Sequence, residues 1–281
     1  MSARRTSETD RAMQWGSRRG EAWVEAQALV DRLFRPFEQR LADDVAAIGA
    51  RRVLDVGCGT GSTTIAVARA MPPGGRSVGV DISAPMIEAA RARAERERVP
   101  ATFVRADAQT HAFEPAGFDA IVSRFGVMFF DDSVQAFANL RRAASAGAAA
   151  RMIVWRSAAD NPFMTVAERA AAPLLPNLPA RKPGEPGQFA FGDPERVRGI
   201  LARSGWSQID IRPLDVECTM PETDLAPYFT RLGPVGTALP EVDAATRARV
   251  IETVRAAFEP YVRGTEVRFD AACWMVAARA Q

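Results

Sequence analysis

One short segment of the chain contains three glycines and one acidic residue, Asp55-Val-Gly-Cys-Gly-Thr-Gly61. The apolar run 52–56 predicts a strand before the glycines, and 62–70 predicts a helix after them. Glycine lacks a Cβ, so the backbone can turn sharply there and approach a ligand closely. The free N–H groups at the start of the helix suit a carboxylate. The segment therefore predicts a ligand-binding loop at the carboxyl edge of a parallel sheet.

The spacing of the glycines argues against a nicotinamide dinucleotide as the ligand. That fingerprint needs Gly-x-Gly-x-x-Gly, and Ser62 occupies the place of the third glycine. Asp55 would repel a pyrophosphate but suits a ligand that carries an ammonium group. Asp81 ends the next predicted strand, 24 residues after Gly57, where a carboxylate accepts hydrogen bonds from ribose hydroxyls. Asp107 follows the third predicted strand and is placed to accept from an adenine amino group.

Short apolar strands alternate with helices over residues 52–155. The predicted strands are 52–56, 77–81, 102–105, 118–123 and 150–155, and the predicted helices are 62–70, 85–97 and 132–144. Such alternation is typical of a parallel sheet covered on both faces, and right-handed crossovers make the sheet doubly wound. Two later strands, 208–217 and 267–277, bring the number to seven. We predict an α/β fold with a doubly wound, mostly parallel seven-stranded sheet.

The flanking segments predict helices and a cap. Residues 1–48 form an N-terminal arm with helices that cover the ligand site, and Pro36 is expected to kink or divide the helical part. Residues 49–281 form the core. Two segments of the core, about 156–192 and 221–262, are predicted as helical cap insertions around a substrate pocket. For the Pro- and Gly-rich first segment, the alternative is a long structural loop.

Four successive motifs resemble those of a known family. They are Val53-Leu-Asp-Val-Gly-Cys-Gly-Thr-Gly61, Val78-Gly-Val-Asp-Ile-Ser83, Arg105-Ala-Asp-Ala108 and Phe118-Asp-Ala-Ile-Val-Ser123. In order and spacing they resemble the motifs of class I S-adenosylmethionine-dependent methyltransferases, and most of all the small-molecule, UbiE-like branch. The resemblance covers about residues 50–155. It implies a Rossmann-like methyltransferase fold, S-adenosyl-L-methionine as cofactor and S-adenosyl-L-homocysteine as product. It also implies O-, N- or C-methylation of a small-molecule acceptor.

The resemblance also implies which residues hold the cofactor. The implied cofactor-binding residues are Asp55, Gly57, Cys58, Gly59, Gly61, Asp81, Ile82, Met86, Asp107, Ala108 and Ser123. In the family, Asp55 reaches the ammonium group, often through water, and Asp81 binds the ribose hydroxyls. Ile82 and Met86 pack on adenine, and Ser123 lines the floor near the sulfonium.

Methyl transfer from a sulfonium is an in-line displacement, which requires a positioned nucleophile and exclusion of water. A hydroxyl acceptor also benefits from a general base, whereas an amine, a thiol or a stabilised carbanion needs only positioning. His111 is a candidate base, and its alternative is an exposed or locally bonded histidine. Arg124 is a candidate for catalysis or for binding an acidic substrate group. Its alternative is an ion pair with Asp131 or Asp132.

Aromatic residues are candidates for the acceptor pocket. Phe125 is predicted to line it. The resemblance implies that a leading arm closes over the cofactor, and Trp15 and Trp23 of that arm are predicted to border the pocket, since an aromatic face attracts a sulfonium or a cationic substrate. The alternative for both tryptophans is ordinary packing of an N-terminal helix. The fourth strand leads into Ser123-Arg-Phe-Gly126 rather than an Asn-Pro-Pro-Tyr-like run. This difference argues against methylation of DNA bases or of protein glutamine.

Composition and charge set further limits. The formal net charge of +2 provides no field that would attract nucleic acid or an anionic membrane. No stretch approaches the roughly 20 apolar residues of a membrane span, and the polar N-terminus lacks the apolar core of a signal peptide. We therefore expect a cytoplasmic protein with neither nucleic acid nor membrane as a partner. A single histidine and three scattered cysteines predict no metal site.

Two alternatives keep the same fold. The bound sulfonium also suits non-methylating chemistry, such as decarboxylation, hydroxylation or cyclisation. A non-enzymatic partner protein on this fold is the second alternative, and the intact set of acids and glycines argues against it. The oligomeric state and the acceptor atom stay open at the level of sequence.

Overall fold

A computed structural model describes residues 15, 16, 18–179, 181, 182 and 184–281. Its α-helices are α1 (Arg18–Glu25), α2 (Gln27–Ile48), α3 (Ser62–Ala70), α4 (Ala84–Glu97), α5 (Ser133–Ala143), α6 (Val166–Ala171), α7 (Pro194–Arg203), α8 (Leu225–Arg231), α9 (Gly233–Ala238) and α10 (Ala244–Ala257). Its strands are β1 (Arg52–Val56), β2 (Arg76–Asp81), β3 (Ala101–Arg105), β4 (Phe118–Arg124), β5 (Ala144–Trp155), β6 (Trp206–Pro221), β7 (Val262–Arg263) and β8 (Glu266–Ala280). Among the helices so described, none is long and apolar enough to cross a membrane.

The strands form one sheet in the order β3-β2-β1-β4-β5-β8-β6, and β7 pairs with β8 at the side. Strands β1 to β5 pair in parallel, whereas β8 runs antiparallel to both β5 and β6. The predicted doubly wound, mostly parallel α/β fold is confirmed, with all seven predicted strands in the sheet. The additional strand, β7, has two residues, which is too short to leave a pattern in the sequence.

The central strands are buried on both faces, as parallel strands require. Val53 of β1 and Val122 of β4 pack with Val45 of α2 and Val67 of α3 on one face. Leu54 belongs to the larger apolar cluster, to which α5, α8 and α10 also contribute. Helices α2 and α3 therefore lie on the same side of the sheet, beside the loop that follows β1.

Helix α2 runs unbroken through Pro36, and the helical region is divided at Ala26 instead. Of the predicted kink or division at Pro36, the division is therefore wrong, and the kink stays a prediction. A proline inside a helix costs about 3 kcal/mol. Helix α2 buries eight side chains, and a fully buried large apolar side chain contributes about 1.5–3 kcal/mol. Packing thus outweighs the local cost, and a local rule could not anticipate it.

Strands β6 and β8 extend beyond the carboxyl edge of the sheet. The last residue of β5, Trp155, pairs with Cys273 of β8, so the earlier residues 266–272 lie past the end of β5 and pair with β6. Asn161 continues the ladder with its side chain, which donates to the Ala272 carbonyl oxygen (2.9 Å) and accepts from the Ala272 N–H (2.9 Å). The sheet thus has a two-stranded extension above the edge where ligands bind.

The helices of the two predicted cap segments pack together on this extension. The Phe163 ring stacks on Phe269 of β8 with an interplanar angle of 4°. It also contacts Phe258, which follows α10 and stacks on Phe229 of α8. Residues from both predicted cap segments therefore share one aromatic layer on the extended part of the sheet.

Candidate active site

The glycine loop after β1 is fixed by backbone hydrogen bonds to β2. The N–H groups of Gly57 and Cys58 donate to the Val80 carbonyl oxygen (2.9 and 3.1 Å). The Gly59 N–H donates to Oδ2 of Asp81 (2.9 Å). Gly61 lies directly before α3, where a Cβ would approach the Phe103 ring to 2.8 Å. These contacts bring the start of α3 to the carboxyl edge of β1 and β2.

Asp55 lies beneath this loop and is 1% exposed. Its Oδ2 accepts a hydrogen bond from the Thr64 hydroxyl (2.6 Å), whereas its Oδ1 has no partner among the residues that the structure describes. Burial raises the pKa of Asp55 to about 6. A buried carboxylate oxygen without a partner is costly. Oδ1 therefore has the capacity to accept a hydrogen bond from a cationic ligand group such as an ammonium.

Asp81 connects the glycine loop to the start of α4. Its Oδ1 accepts from the Ser83 N–H (2.9 Å), and its Oδ2 accepts from Gly59. Burial raises the pKa of Asp81, although these backbone hydrogen bonds act to lower it. Each carboxylate oxygen has two acceptor positions, so the acid keeps capacity for two hydroxyl donors. Met86 lies beside the loop, since a Cβ on Gly59 would be 3.8 Å from its sulfur. Ile82, between Asp81 and Ser83, is half-buried.

Asp107 and Ala108 lie in a fixed turn after β3. Oδ1 of Asp107 accepts from the Gln109 N–H (2.9 Å). The buried Asn139 of α5 donates to the carbonyl oxygens of Ala108 (3.0 Å) and His111 (2.9 Å). Asn139 was not identified from the sequence because nothing local distinguishes it from other polar residues of a helix. It holds the predicted adenine edge from the neighbouring helix.

Ser123 is fully buried at the end of β4. Its hydroxyl donates to the Val56 carbonyl oxygen (2.7 Å) and accepts from the Gly126 N–H (3.2 Å). The structure thus places its side chain between backbone segments, where it supports the turns after β1 and β4. The role implied by the resemblance, lining the floor near the sulfonium, stays a prediction, and the buried hydroxyl would serve it by holding these two turns together.

Arg124 lies between α2 and the start of α3. Its Nη2 donates to the Ser62 hydroxyl (2.8 Å), and its Nη1 donates to the Phe34 carbonyl oxygen (3.4 Å). Glu38 of α2 lies near the same point: burial raises the pKa of Glu38, and the neighbouring Arg124 acts to lower it. Sequence reasoning missed Glu38, because only the crossing of α2 over the sheet brings it to this point.

The His111 ring packs against a residue that is close to it in the sequence. Its ring meets the edge of Phe113 at 4.7 Å between centroids, and Phe113 in turn contacts Phe118 at the start of β4. The backbone N–H of His111 donates to the Asp107 carbonyl oxygen (2.8 Å), and the contact of its ring with Phe113 favours the alternative of a locally packed histidine over that of a catalytic base.

Phe125 forms part of an aromatic wall at the carboxyl edge. It stacks on Trp155 at 4.5 Å between centroids and meets the edges of Phe34 and Phe37 of α2. Its φ of 64° is unusual for an aromatic residue, and such backbone strain concentrates at functional sites. Phe125 is half-buried, whereas Phe37 and Trp155 are buried.

Trp15 reaches two parts of the same edge. Its carbonyl oxygen accepts from the Ser83 hydroxyl (2.7 Å), next to the predicted adenine contacts. Its ring meets Phe129 edge-on at 5.4 Å and lies 6.5 Å from the ring of Trp23. The arm thus extends from the end of β2 to the segment after β4, and its closure over a bound cofactor stays a prediction.

Comparisons with known proteins identify the family of the chain. A family model described as a methyltransferase domain matches residues 53–147. Aklanonic acid methyltransferase DauC of Streptomyces sp. (strain C5) is 34% identical over 123 residues, which cover 42% of this chain and 56% of that protein. The chain thus spans just over half the length of that relative.

A second relative is covered more fully. Demethylmenaquinone methyltransferase of Roseiflexus castenholzii (strain DSM 13941 / HLO8) is 30% identical over 171 residues, which cover 57% of this chain and 70% of that protein. A solved structure from work on the conversion of a disulfide bond into a thioacetal group during echinomycin biosynthesis shares the fold. It has a TM-score of 0.56 and 21% identity, and covers 85% of this chain and 79% of the other. The chain belongs to the class I S-adenosylmethionine-dependent methyltransferases, in the small-molecule, UbiE-like branch.

Proposed function

We propose that the chain transfers the methyl group of S-adenosylmethionine to an apolar, ring-containing small molecule bound between the aromatic wall and the cap. The single observation that carries the proposal is the position of Phe125. It stacks on Trp155 in a strained conformation, directly after the strand that borders the predicted methionine site. A planar apolar wall at this point favours an acceptor with a planar apolar face.

The proposed cofactor position follows the order of the strands. Asp107, Asp81 and Asp55 come from β3, β2 and β1, which are neighbours in that order. Asp107 would hold the adenine edge, Asp81 the ribose hydroxyls and Asp55 the ammonium group. The unpartnered Oδ1 of Asp55 and the capacity of Asp81 for two more donors support this fit. The bound cofactor supplies an electrophilic methyl group.

The protein's part in the reaction is positioning and exclusion of water. The glycine loop and the three acids fix the cofactor, and the aromatic wall orients the methyl acceptor. His111 contacts Phe113 rather than the wall, so we assign it no proton transfer. An acceptor that reacts as a stabilised carbanion, such as an acidic ring carbon, needs positioning alone. The names of the relatives, with an acid in one and a quinone in the other, support an acceptor of this kind.

The test is a screen of acceptors with methyl-labelled S-adenosylmethionine. The panel holds a hydroquinone without the ring methyl, a phenolic polycyclic acid and an aliphatic amine of similar size, and both released S-adenosylhomocysteine and labelled product are measured. We expect label in a ring compound and at most a trace in the amine. Transfer only to the amine would contradict the proposed acceptor class. Turnover of the cofactor without label in any product would instead favour the non-methylating alternative.

A further inference from the structure

Asp55 and Arg124 lie on the same face of two neighbouring strands. Asp55 of β1 is in register with Val122 of β4, and residues two apart on a strand point to the same face. The side chain of Arg124 therefore lies one step beyond that of Asp55, towards the carboxyl edge. Arg124 is close enough to lower the pKa of Asp55, against the larger effect of burial.

Among the residues that the structure describes, the surroundings of Arg124 leave part of its hydrogen-bonding capacity unused. Its side chain donates hydrogen bonds to two neutral acceptors, the Ser62 hydroxyl and the Phe34 carbonyl oxygen, and it lowers the pKa of the nearby Glu38. A guanidinium has five N–H donors. Ser62 is the first residue of α3, whose N-terminal N–H groups favour an anion. Asp55 has a buried carboxylate oxygen without a partner on the same side. A cation donor and an anion acceptor thus flank one point of the edge.

We infer that Arg124 binds the α-carboxylate of the methionine part of the cofactor while Asp55 binds its α-ammonium group, so that the two residues together recognise an amino-acid zwitterion. This inference rests on the proposed cofactor site and adds a residue that selects for the carboxylate. It replaces the role for Arg124 in binding an acidic acceptor. A ligand that keeps the ammonium group but lacks the carboxylate would lose the Arg124 contact alone.

The experiment is calorimetry with two ligands, S-adenosylhomocysteine and its decarboxylated analogue. The proteins are the wild type, Arg124→Gln, Arg124→Lys and the control Arg105→Gln. Arg105 is exposed at the end of β3, three strands from β4 and so about 14 Å away. The control removes the same charge from the same edge of the sheet.

We expect the wild type to prefer S-adenosylhomocysteine by about 30-fold, in line with a charge-assisted hydrogen bond. Arg124→Gln should lower the affinity for S-adenosylhomocysteine by about 30-fold and the affinity for the analogue by less than 3-fold. Arg124→Lys should lie between, since lysine keeps the charge but not the planar fork. Arg105→Gln should change the preference by less than 2-fold. Thermal unfolding of each variant checks that it is folded.

Equal loss of both ligands in Arg124→Gln would show a merely structural role and overturn the inference. Equal affinity of the wild type for both ligands would overturn it as well, and would not depend on any variant being folded. If the wild type binds neither ligand, the proposed cofactor site is itself wrong. That outcome differs from equal affinity for both ligands, which would show a cofactor site that does not recognise the carboxylate.

Discussion

Gly57 and Gly126 meet so closely that a Cβ built on Gly57 would lie 2.6 Å from the Cα of Gly126. The two glycines follow β1 and β4, which are neighbours in the sheet. Real side chains do not tolerate such a distance, so the two turns pack backbone against backbone. The Ser123 hydroxyl bonds both turns and fixes their separation. The floor of the proposed methionine site therefore depends on two glycines from different parts of the sequence.

Gly126→Ala should damage this floor. The added Cβ would lie 2.4 Å from the Val56 carbonyl oxygen, and relief requires a shift of the backbone. We expect a loss of about 1–3 kcal/mol in the free energy of unfolding and at least a 10-fold loss of affinity for S-adenosylhomocysteine. Denaturant unfolding and calorimetry measure the two effects. Gly199→Ala is the matched control, because nothing lies within 4 Å of that position in α7. Unchanged ligand affinity in Gly126→Ala would show that the turns tolerate separation.

Asp81→Asn should weaken cofactor binding selectively. The asparagine keeps one acceptor oxygen and turns an amide group towards an N–H donor of Gly59 or Ser83. We expect about a 100-fold loss of affinity for S-adenosylhomocysteine. Asp119→Asn is the control, because Asp119 also accepts hydrogen bonds from two backbone N–H groups, those of Arg51 and Arg52, at the opposite edge. Equal affinity in the Asp81 variant and the wild type would rule out the predicted ribose contact.

Asp55 should give stability and ligand affinity opposite dependences on pH. Its folded pKa of about 6 lies above the ordinary value of 3.8. The stabilising contribution of the protonated acid is therefore complete below about pH 4 and is lost as the pH rises through 6. Without ligand, Asp55→Asn should be more stable than the wild type at pH 7.5, by up to about 3 kcal/mol, and the difference should vanish near pH 4. Denaturant unfolding at several pH values measures this difference.

Ligand affinity should instead increase with pH, because the ammonium group of the ligand needs the ionised form of Asp55. Wild-type affinity for S-adenosylhomocysteine should rise between pH 5 and pH 7.5, and that of Asp55→Asn should be weaker at pH 7.5. A variant with wild-type affinity at pH 7.5 would contradict the role of Asp55 in holding the ammonium group.

Phe125→Leu should affect the acceptor and leave the cofactor alone. Leucine keeps apolar volume but loses the stacking on Trp155, which is worth about 0.5–1.5 kcal/mol beyond its buried area. We expect KM for a ring-containing acceptor to rise about 10-fold while the affinity for S-adenosylhomocysteine changes by less than 3-fold. Steady-state kinetics with the acceptor from the screen, together with calorimetry, separate the two. A loss of affinity for S-adenosylhomocysteine with an unchanged KM for the acceptor would contradict the assignment of Phe125 to the acceptor pocket.

His111→Gln should leave kcat within about 2-fold of the wild type. A general base contributes about 10²–10⁴-fold, so the two roles differ by a large factor. The contact of the His111 ring with Phe113 predicts the smaller effect. The measurement is the pH profile of kcat for both proteins under saturating cofactor and acceptor. A 100-fold fall with loss of an acidic limb would restore His111 as the base.

The fold and the candidate site were predictable from sequence to different extents. Strands such as β1 and β2 can be predicted from short apolar runs in the sequence, and Asp81 is recognisable because it ends one of them. Glu38 is not, since its approach to Ser62 depends on how α2 crosses the sheet. His111 follows Asp107 closely in the chain, but local packing turns its ring to Phe113. Contacts within one strand and turn were thus readable, whereas contacts between distant elements required the structure.

The two-stranded extension of β6 and β8 ties acceptor choice to the architecture of the sheet. The strands that carry the aromatic layer of the cap are the same strands that close one side of the sheet beside β5. Exchange of the cap helices alone between relatives would leave Phe163 without its stacking partner Phe269. The unit that recombination or design can move intact is therefore the whole segment from residue 156 to residue 280, with both strands included. Changes in acceptor preference that come from the cap should therefore be inherited together with both strands, as one block.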